Sequence, residues 1–370
     1  MPDEPDDEGA PGLPPDPLDR VWFHPSELGA PEAPAVPDAR RRGWGFGFFG
    51  AICGIAATLG ILAATGAIGS SGSSGTGSDG LAPVFARLQS DRAADLVAEA
   101  APSVVAVRAD GVADGGGSGV ALGADRVVTS AVLVSGATAV TITTSRGRVV
   151  GATVAGVDPE TDLALLRVDG ANLPGARLGS ADGLAVGTWV LALGTAGGER
   201  RWASQGVVSG VSVLVTRADG VTMPGMVATD VQMSPQAGGG PLLDDEGSVV
   251  AILSRAAPGH ALPVDVAREV AEQLSASGRV HHASLGIDAV DTHARAGGGA
   301  TVQTVSPGGP AERAGIAVGD VITDLGDDRV SDLADLLAAV AHRRPGDPVE
   351  LTVWRDDRRL ERTATLAERP

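Results

Sequence analysis

The sequence predicts a mainly β chain, and three observations carry that prediction. Between Ser103 and Leu262, short β-branched runs recur between glycines, as in Ser103-Val104-Val105-Ala106-Val107, Ala139-Val140-Thr141-Ile142 and Ser248-Val249-Val250-Ala251-Ile252-Leu253. Strands that short at such spacing indicate a barrel or a sandwich. Residues 284–366 mix strand and helix patterns and read as a separate small domain. Ahead of both lies the one long apolar segment, Trp44 to Ile68, free of charge and long enough to span a hydrocarbon core of roughly 30 Å as a helix.

Taken in order, residues 1–43 form an acidic, Pro-rich tail. Ten acids face a single Arg over residues 1–39, which is half of the net charge of −18. So few apolar residues cannot support a core, and disorder is predicted. One island interrupts the tail. Trp22, Phe23, His24 and Pro25 set two adjacent aromatics in an acidic context, the pattern of a short docking motif for a cytoplasmic partner, and a chance cluster has the same appearance. Arg40-Arg41-Arg42 then precedes the apolar segment 44–68, and no charge follows it until Asp79. That asymmetry holds the N-terminus in the cytoplasm and exports the rest. A cleaved secretory signal is the competing reading, but its apolar core would be shorter, about 7–15 residues, and nearer the N-terminus. The expectation is a single-pass anchor in the cell membrane, with the C-terminal domains outside the cytoplasm.

Residues 69–93 read as a Gly/Ser linker running into a short helix. Phe85, Leu88, Leu96 and Val97 recur at helical spacing between Leu81 and Ala100, and Pro102 marks the end. Pro263-Val264 opens another helix through Leu274, with Gly278 as its stop. Residues 94–278 then form one domain and 284–366 the next. The lone cysteine, Cys53, has no intrachain partner, so hydrophobic packing rather than disulfides holds the fold. The acidic balance excludes nucleic acid as a partner, because phosphate backbones require a basic surface. No cofactor and no metal site are expected.

Ordered segments within residues 95–366 resemble the HtrA family of serine proteases. The first are Gly117-Ser118-Gly119-Val120, Asp158-Pro159-Glu160-Thr161-Asp162-Leu163-Ala164-Leu165 and Leu178-Gly179-Ser180. Ser204-Gln205-Gly206-Val207-Val208-Ser209 and the loop from Thr229 through Gly238-Gly239-Gly240-Pro241-Leu242 follow. Each alone is weak; their order and spacing together are strong. The resemblance implies a trypsin-like double β-barrel. In such proteases a serine attacks the carbonyl, a histidine takes its proton and a buried aspartate orients the histidine. Carried over position by position, the aspartate is Asp162, the histidine position falls on Val132 and the nucleophile position on Gly238. Valine and glycine can neither attack a carbonyl nor take a proton. Gln236 stands where the family places glycine in the oxyanion turn, and a Cβ is disfavoured wherever φ is positive. His260 and Ser234 are the nearest substitutes, and both read as loop residues. On that alignment no enzymatic activity is expected, and Asp162 becomes a hydrogen-bonded structural carboxylate.

Residues 284–366 resemble a PDZ domain. Ser284-Leu285-Gly286-Ile287 is similar to the carboxylate-binding loop of that family, Val305-Ser306-Pro307-Gly308-Gly309-Pro310-Ala311 to its next turn, and Gly319-Asp320-Val321-Ile322 to its G-D-V-I strand. Ser331 is placed to cap the second helix, with Asp332 in its first turn. Such domains add a partner's C-terminal strand to a sheet edge and hold the terminal carboxylate with backbone N–H groups. The resemblance assigns those donors to the loop from Leu285 through Gly286 to Ile287. Ile287, Leu333 and Leu337 line the side-chain pocket, although helical spacing alone equally fits core packing for the two leucines.

The leading expectation is a membrane-anchored, non-catalytic protein that binds protein C-termini or unfolded segments through its PDZ domain. One alternative is an HtrA-type endopeptidase with a misaligned or unusual active site. Another is an inactive regulatory subunit of an active relative, since the resemblance implies trimers, whether of this chain alone or mixed.

Overall fold

The computed structural model describes residues 92–113, 115–196, 200–292 and 298–369. The acidic tail, the docking motif at Trp22–Pro25, the apolar segment 44–68 and Cys53 lie outside the described residues. Among the described residues no helix is long and apolar enough to cross a membrane. The predicted helix through Ala100 is present over 92–100, and Leu96 anchors it with 4% of its surface exposed.

Two closed barrels follow. The first holds β1 (Val104–Asp110), β2 (Gly116–Ala121), β3 (Arg126–Ser130), β4 (Ala139–Thr143), β5 (Val149–Asp158) and β6 (Leu163–Arg167), in the order β1-β2-β3-β6-β5-β4. The second holds β7 (Trp189–Ala196), β8 (Arg200–Thr216), β9 (Thr222–Thr229), β10 (Pro241–Leu243), β11 (Val249–Leu253) and β12 (His260–Pro263), in the order β10-β11-β12-β9-β8-β7. Closure removes the unpaired edges that an open sheet of such strands would expose. Alternation decides which residues face inward: on β1, Val105, Val107 and Ala109 fill the first barrel while Arg108 and Asp110 face out. The interior of the second barrel is built from residues such as Val190, Ala192, Leu242 and Leu253. A third cluster joins the barrels to each other and to the helix Val264–Ser277, through Val128, Leu165, Met226, Val249, Val270 and Leu274. Gly278 ends that helix as predicted, in the left-handed region at φ 71° with its N–H on the Leu274 carbonyl.

The remaining residues form a sheet in the order β14 (Ile287–Asp291), β15 (Ala300–Val305), β16 (Val321–Leu325), β18 (Pro348–Arg355) and β19 (Arg358–Thr365), with β17 (Asp328–Arg329) paired to β16. A two-stranded pair, β13 (Ala283–Ser284) with β20 (Ala367–Glu368), closes its base. The helix Leu333–Ala341 starts one residue later than its predicted cap. Asp332, not Ser331, is the N-cap and accepts from the Asp335 N–H at 2.9 Å, while the Ser331 N–H returns to the Asp335 carboxylate at 3.0 Å. The reciprocal pairing with Asp335 favours aspartate over the neighbouring serine as cap. Asp320 of the G-D-V-I strand is fully buried and takes a two-pronged hydrogen bond from Arg355, at 2.7 and 2.8 Å. Its role is structural.

Candidate active-site loop and peptide groove

Asp162 is the polar centre of the first barrel. It lies just before β6 in the left-handed region at φ 54°, which aspartate tolerates better than most side chains. Only 3% of it is exposed. Ser130 Oγ donates to both carboxylate oxygens at 2.7 and 2.8 Å, Ser254 Oγ donates at 2.7 Å, and the N–H groups of Val132, Arg255 and Ala256 donate at 3.1, 3.0 and 3.0 Å. Neutral donors from the end of β3 and from the turn after β11 therefore satisfy its charge. Ser130, Ser254 and Arg255 were not singled out by the sequence, because nothing in their local patterns ties them to a carboxylate 32 to 93 residues away.

Val132 brings its backbone to that carboxylate and leaves its side chain 37% exposed. An isopropyl group thus stands beside the aspartate. His260 is elsewhere: it opens β12, its Nδ1 lies 3.1 Å from the Pro258 carbonyl, and it makes no hydrogen bond to Asp162. Ser234 Oγ donates to the Gln236 side-chain oxygen at 2.6 Å and so faces its own loop.

The Gly238 loop winds as a single 3-10 turn, Pro235–Ala237, into β10. Gln236 does not adopt a positive φ; the left-handed position is Gly239, at φ 84°. The expected clash of a Cβ at residue 236 is relieved by that right-handed winding, and the Gln236 carbonyl accepts from Ser118 Oγ at 2.9 Å. Ser118 N–H in turn holds the Gly238 carbonyl at 2.9 Å. Gly238 itself has φ −52°, which any residue adopts. What excludes a side chain there is a neighbour: a Cβ on Gly238 would lie 2.6 Å from Arg255 Cβ. Arg255 then reaches on to the Gly116 carbonyl at 3.0 Å.

In the smaller domain the predicted residues lie on β14, on the turn before it and on the helix Leu333–Ala341. Gly286 needs its glycine, with φ 72° and a would-be Cβ 3.2 Å from Pro310 Cδ. Its carbonyl accepts from Ser306 N–H and its N–H donates to Ser284 Oγ, so that donor is already engaged. The Leu285 side chain is 4% exposed and belongs to the core, which leaves its backbone as the part that bears on the loop. On the helix, Leu336, Ala339 and Val340 enter the core while Leu333 and Leu337 stay half-buried outside it. Ile287 is half-buried on β14 and packs against the edge of that core. The Leu333 N–H donates to Asp291 at 2.8 Å and joins helix to strand at the far end.

Comparison with known proteins follows the same division. A trypsin-like peptidase domain family matches residues 117–252, and a PDZ domain family matches residues 283–366. A probable periplasmic serine endoprotease DegP-like of Pseudomonas savastanoi pv. phaseolicola is 34% identical over 265 residues, covering 66% of this chain and 54% of that protein. A putative serine protease HhoB of a Synechocystis species is 31% identical over 269 residues, covering 66% and 63%. The chain spans about half the length of the curated relatives it matches first. Among solved structures, the HtrA-type protease AlgW with tripeptide aligns with TM-score 0.63 at 28% identity, over 75% of this chain and 97% of that one. The serine endoprotease from Yersinia pestis aligns with TM-score 0.55 at 27% identity, over 75% and 98%. These relatives overturn the expectation that the chain is not an enzyme. They are named as proteases.

Proposed function

The chain belongs to the HtrA-like family of trypsin-fold proteins with a PDZ domain, and on that premise we propose that it is an extracytoplasmic peptidase with an unusual active site, fed by its PDZ groove. Polypeptides are held by their C-termini between β14 and the helix Leu333–Ala341. The observation that carries this reading is the separation of Leu333 and Leu337 from the core to which Leu336 belongs. Two apolar side chains outside the core, opposite Ile287, suit an apolar terminal residue of the ligand. That AlgW was solved with a tripeptide and with a decapeptide supports peptide as the ligand class. The periplasmic naming of the DegP-like relatives supports a site outside the cytoplasm, and residues 44–68 are the proposed anchor.

The site is unusual because Val132 and Gly238 supply neither a base nor a nucleophile. With no nucleophile or base at those positions, any cleavage has water as the attacking group, with solvent taking its proton and protonating the leaving amine. A site without its triad reaches at most roughly 10³–10⁴-fold over water even where the oxyanion hole is intact, so turnover is expected far below that of an intact triad. Incubating the purified full-length chain with unfolded casein tests the peptidase part: slow cleavage above the no-protein control is expected, and a time course indistinguishable from that control overturns it. Binding is tested separately. A peptide with a free apolar C-terminus is expected to bind, and both C-terminal amidation and Gly286→Trp to abolish binding. An amidated peptide that binds equally well removes the PDZ groove from the account.

A further inference from the structure

A second groove lies between the barrels. A groove of ≈ 580 Å³ runs along the outer face of β1 and β4, walled by the hairpin after β4 on one side and by the start of β8 on the other. Among the described residues its lining includes Arg108, Arg146 and Arg201 and no aspartate or glutamate. In a chain of net charge −18 that local sign is reversed. A low-dielectric cleft lined with one sign of charge concentrates the opposite one.

The three arginines are placed rather than scattered. Arg108 stands opposite Thr141 across the β1–β4 pairing. Arg201 donates to the Ser145 carbonyl at 3.1 Å, which ties the second barrel to the hairpin of the first and sets its guanidinium at the groove wall. Arg146 follows on that hairpin and is exposed. Asp110 lies 3.6 Å from Arg108, but both side chains are more than half exposed, and such a pair contributes little. Arg108 therefore remains available. Between the cations, Val104 and Ala106 form an apolar floor and Thr141 and Thr143 add hydroxyls, while the Thr195 hydroxyl donates to the Gly117 carbonyl at 3.2 Å. The inner end is Gly116, whose carbonyl holds Arg255, and the adjoining Gly117 abuts the Gly238 carbonyl.

We propose that this groove binds an acidic, extended polypeptide segment, its carboxylates on the three arginines and its intervening apolar side chains on the floor. Guanidinium forks match carboxylates in pairs. A groove of this length and apolar floor exceeds what a single phosphate needs. A chain laid there leads to the Gly238 loop, so the groove selects which polypeptides arrive, independently of the PDZ domain.

The test titrates the purified full-length chain into a short fluorescent peptide of alternating glutamate and valine. Its C-terminus is amidated to keep it out of the PDZ groove. Saturable binding that weakens with salt is expected. Each of Arg108→Gln, Arg146→Gln and Arg201→Gln should weaken it by roughly two- to fivefold, and the triple variant by about tenfold or more. These side chains are exposed, so the variants should keep the parent melting temperature. The same peptide with lysine for glutamate, added to the unaltered chain, should not bind. Equal affinity for the lysine peptide, unchanged affinity in the triple variant, or tighter binding of a single-stranded oligonucleotide than of the glutamate peptide would each overturn the assignment.

Discussion

The barrels and the smaller domain each bury an aspartate from a recognisable motif, and they satisfy it in opposite ways. Among the described residues, Asp162 accepts its hydrogen bonds from hydroxyls and backbone N–H groups. Asp320 accepts a two-pronged bond from Arg355 and one from the Ala317 N–H. The difference lies in what each carboxylate organises. Asp162 collects donors from the end of β3 and the turn after β11, so it fixes the walls beside the Gly238 loop. Asp320 secures one strand to its neighbour. A neutral-donor hub is lost in several places at once when its acceptor goes, whereas an ion pair is lost in one.

That contrast ranks the expected costs. Asp162→Asn keeps the size of the side chain but turns an amide toward groups that donate. Leaving two or more buried donors unpaired, at about 1–3 kcal/mol each, should cost about 3 kcal/mol or more. For a domain of this size that is a fall of roughly 6–12 °C in the melting temperature of the barrels, followed by calorimetry. Asp320→Asn comes next, at about 2 kcal/mol, the usual worth of hydrogen bonds to a charged group. Burial pushes the Asp320 carboxyl up, but the hydrogen bonds from Arg355 and Ala317 and the nearby arginine charges outweigh it and hold it below its ordinary value of 3.8. Its contribution is therefore present above pH 3.8 and is lost as pH falls through the depressed value. A calorimetric trace in which Asp320→Asn lowers the transition more than Asp162→Asn would invert the ranking and the reasoning behind it.

The fold was largely legible in the sequence because β-branched runs and glycines report local constraints. Gly278 and Gly286 are glycine for a backbone angle, and a pattern of residues exposes such a need. Gly238 was legible as a position without a nucleophile, yet its physical cause was not. The crowding comes from Arg255, 17 residues on, and only folding brings the two together. The same holds for Ser130 and Ser254, ordinary serines until the barrel closes them over Asp162. Gln236 misled for a related reason: a family glycine suggested a positive φ, and the turn wound the other way. The leucines of the helix Leu333–Ala341 could not be divided between groove and core by spacing, because one helix has two buried-facing sides here.

A third carboxylate sharpens the comparison. Asp158, 4% exposed at the end of β5, is met by His282 from the start of the smaller domain, with Nε2 at 3.0 Å. Glu160 stands 4.0 Å away and is itself paired with Arg369 at 2.6 Å. Here the partner's charge depends on pH. Burial lowers the affinity of His282 for its proton, but the hydrogen bond to Asp158 and the charges of Asp158 and Glu160 outweigh it and raise the imidazole above its ordinary value of 6.5. A raised value means that the folded chain binds the proton more tightly than the unfolded one does. The stabilisation is complete below pH 6.5 and disappears as pH rises through the folded-state value. Thr161 and Asp162 come three and four residues after Asp158, and Thr161 Oγ1 donates to it at 2.6 Å, so this contact ties the smaller domain to the segment that carries the hub. His282→Gln should have the smallest effect of the three, removing a pH dependence more than a stability. In urea unfolding the parent should lose more midpoint between pH 6 and pH 8 than the variant, and equal losses in both would place the proton elsewhere.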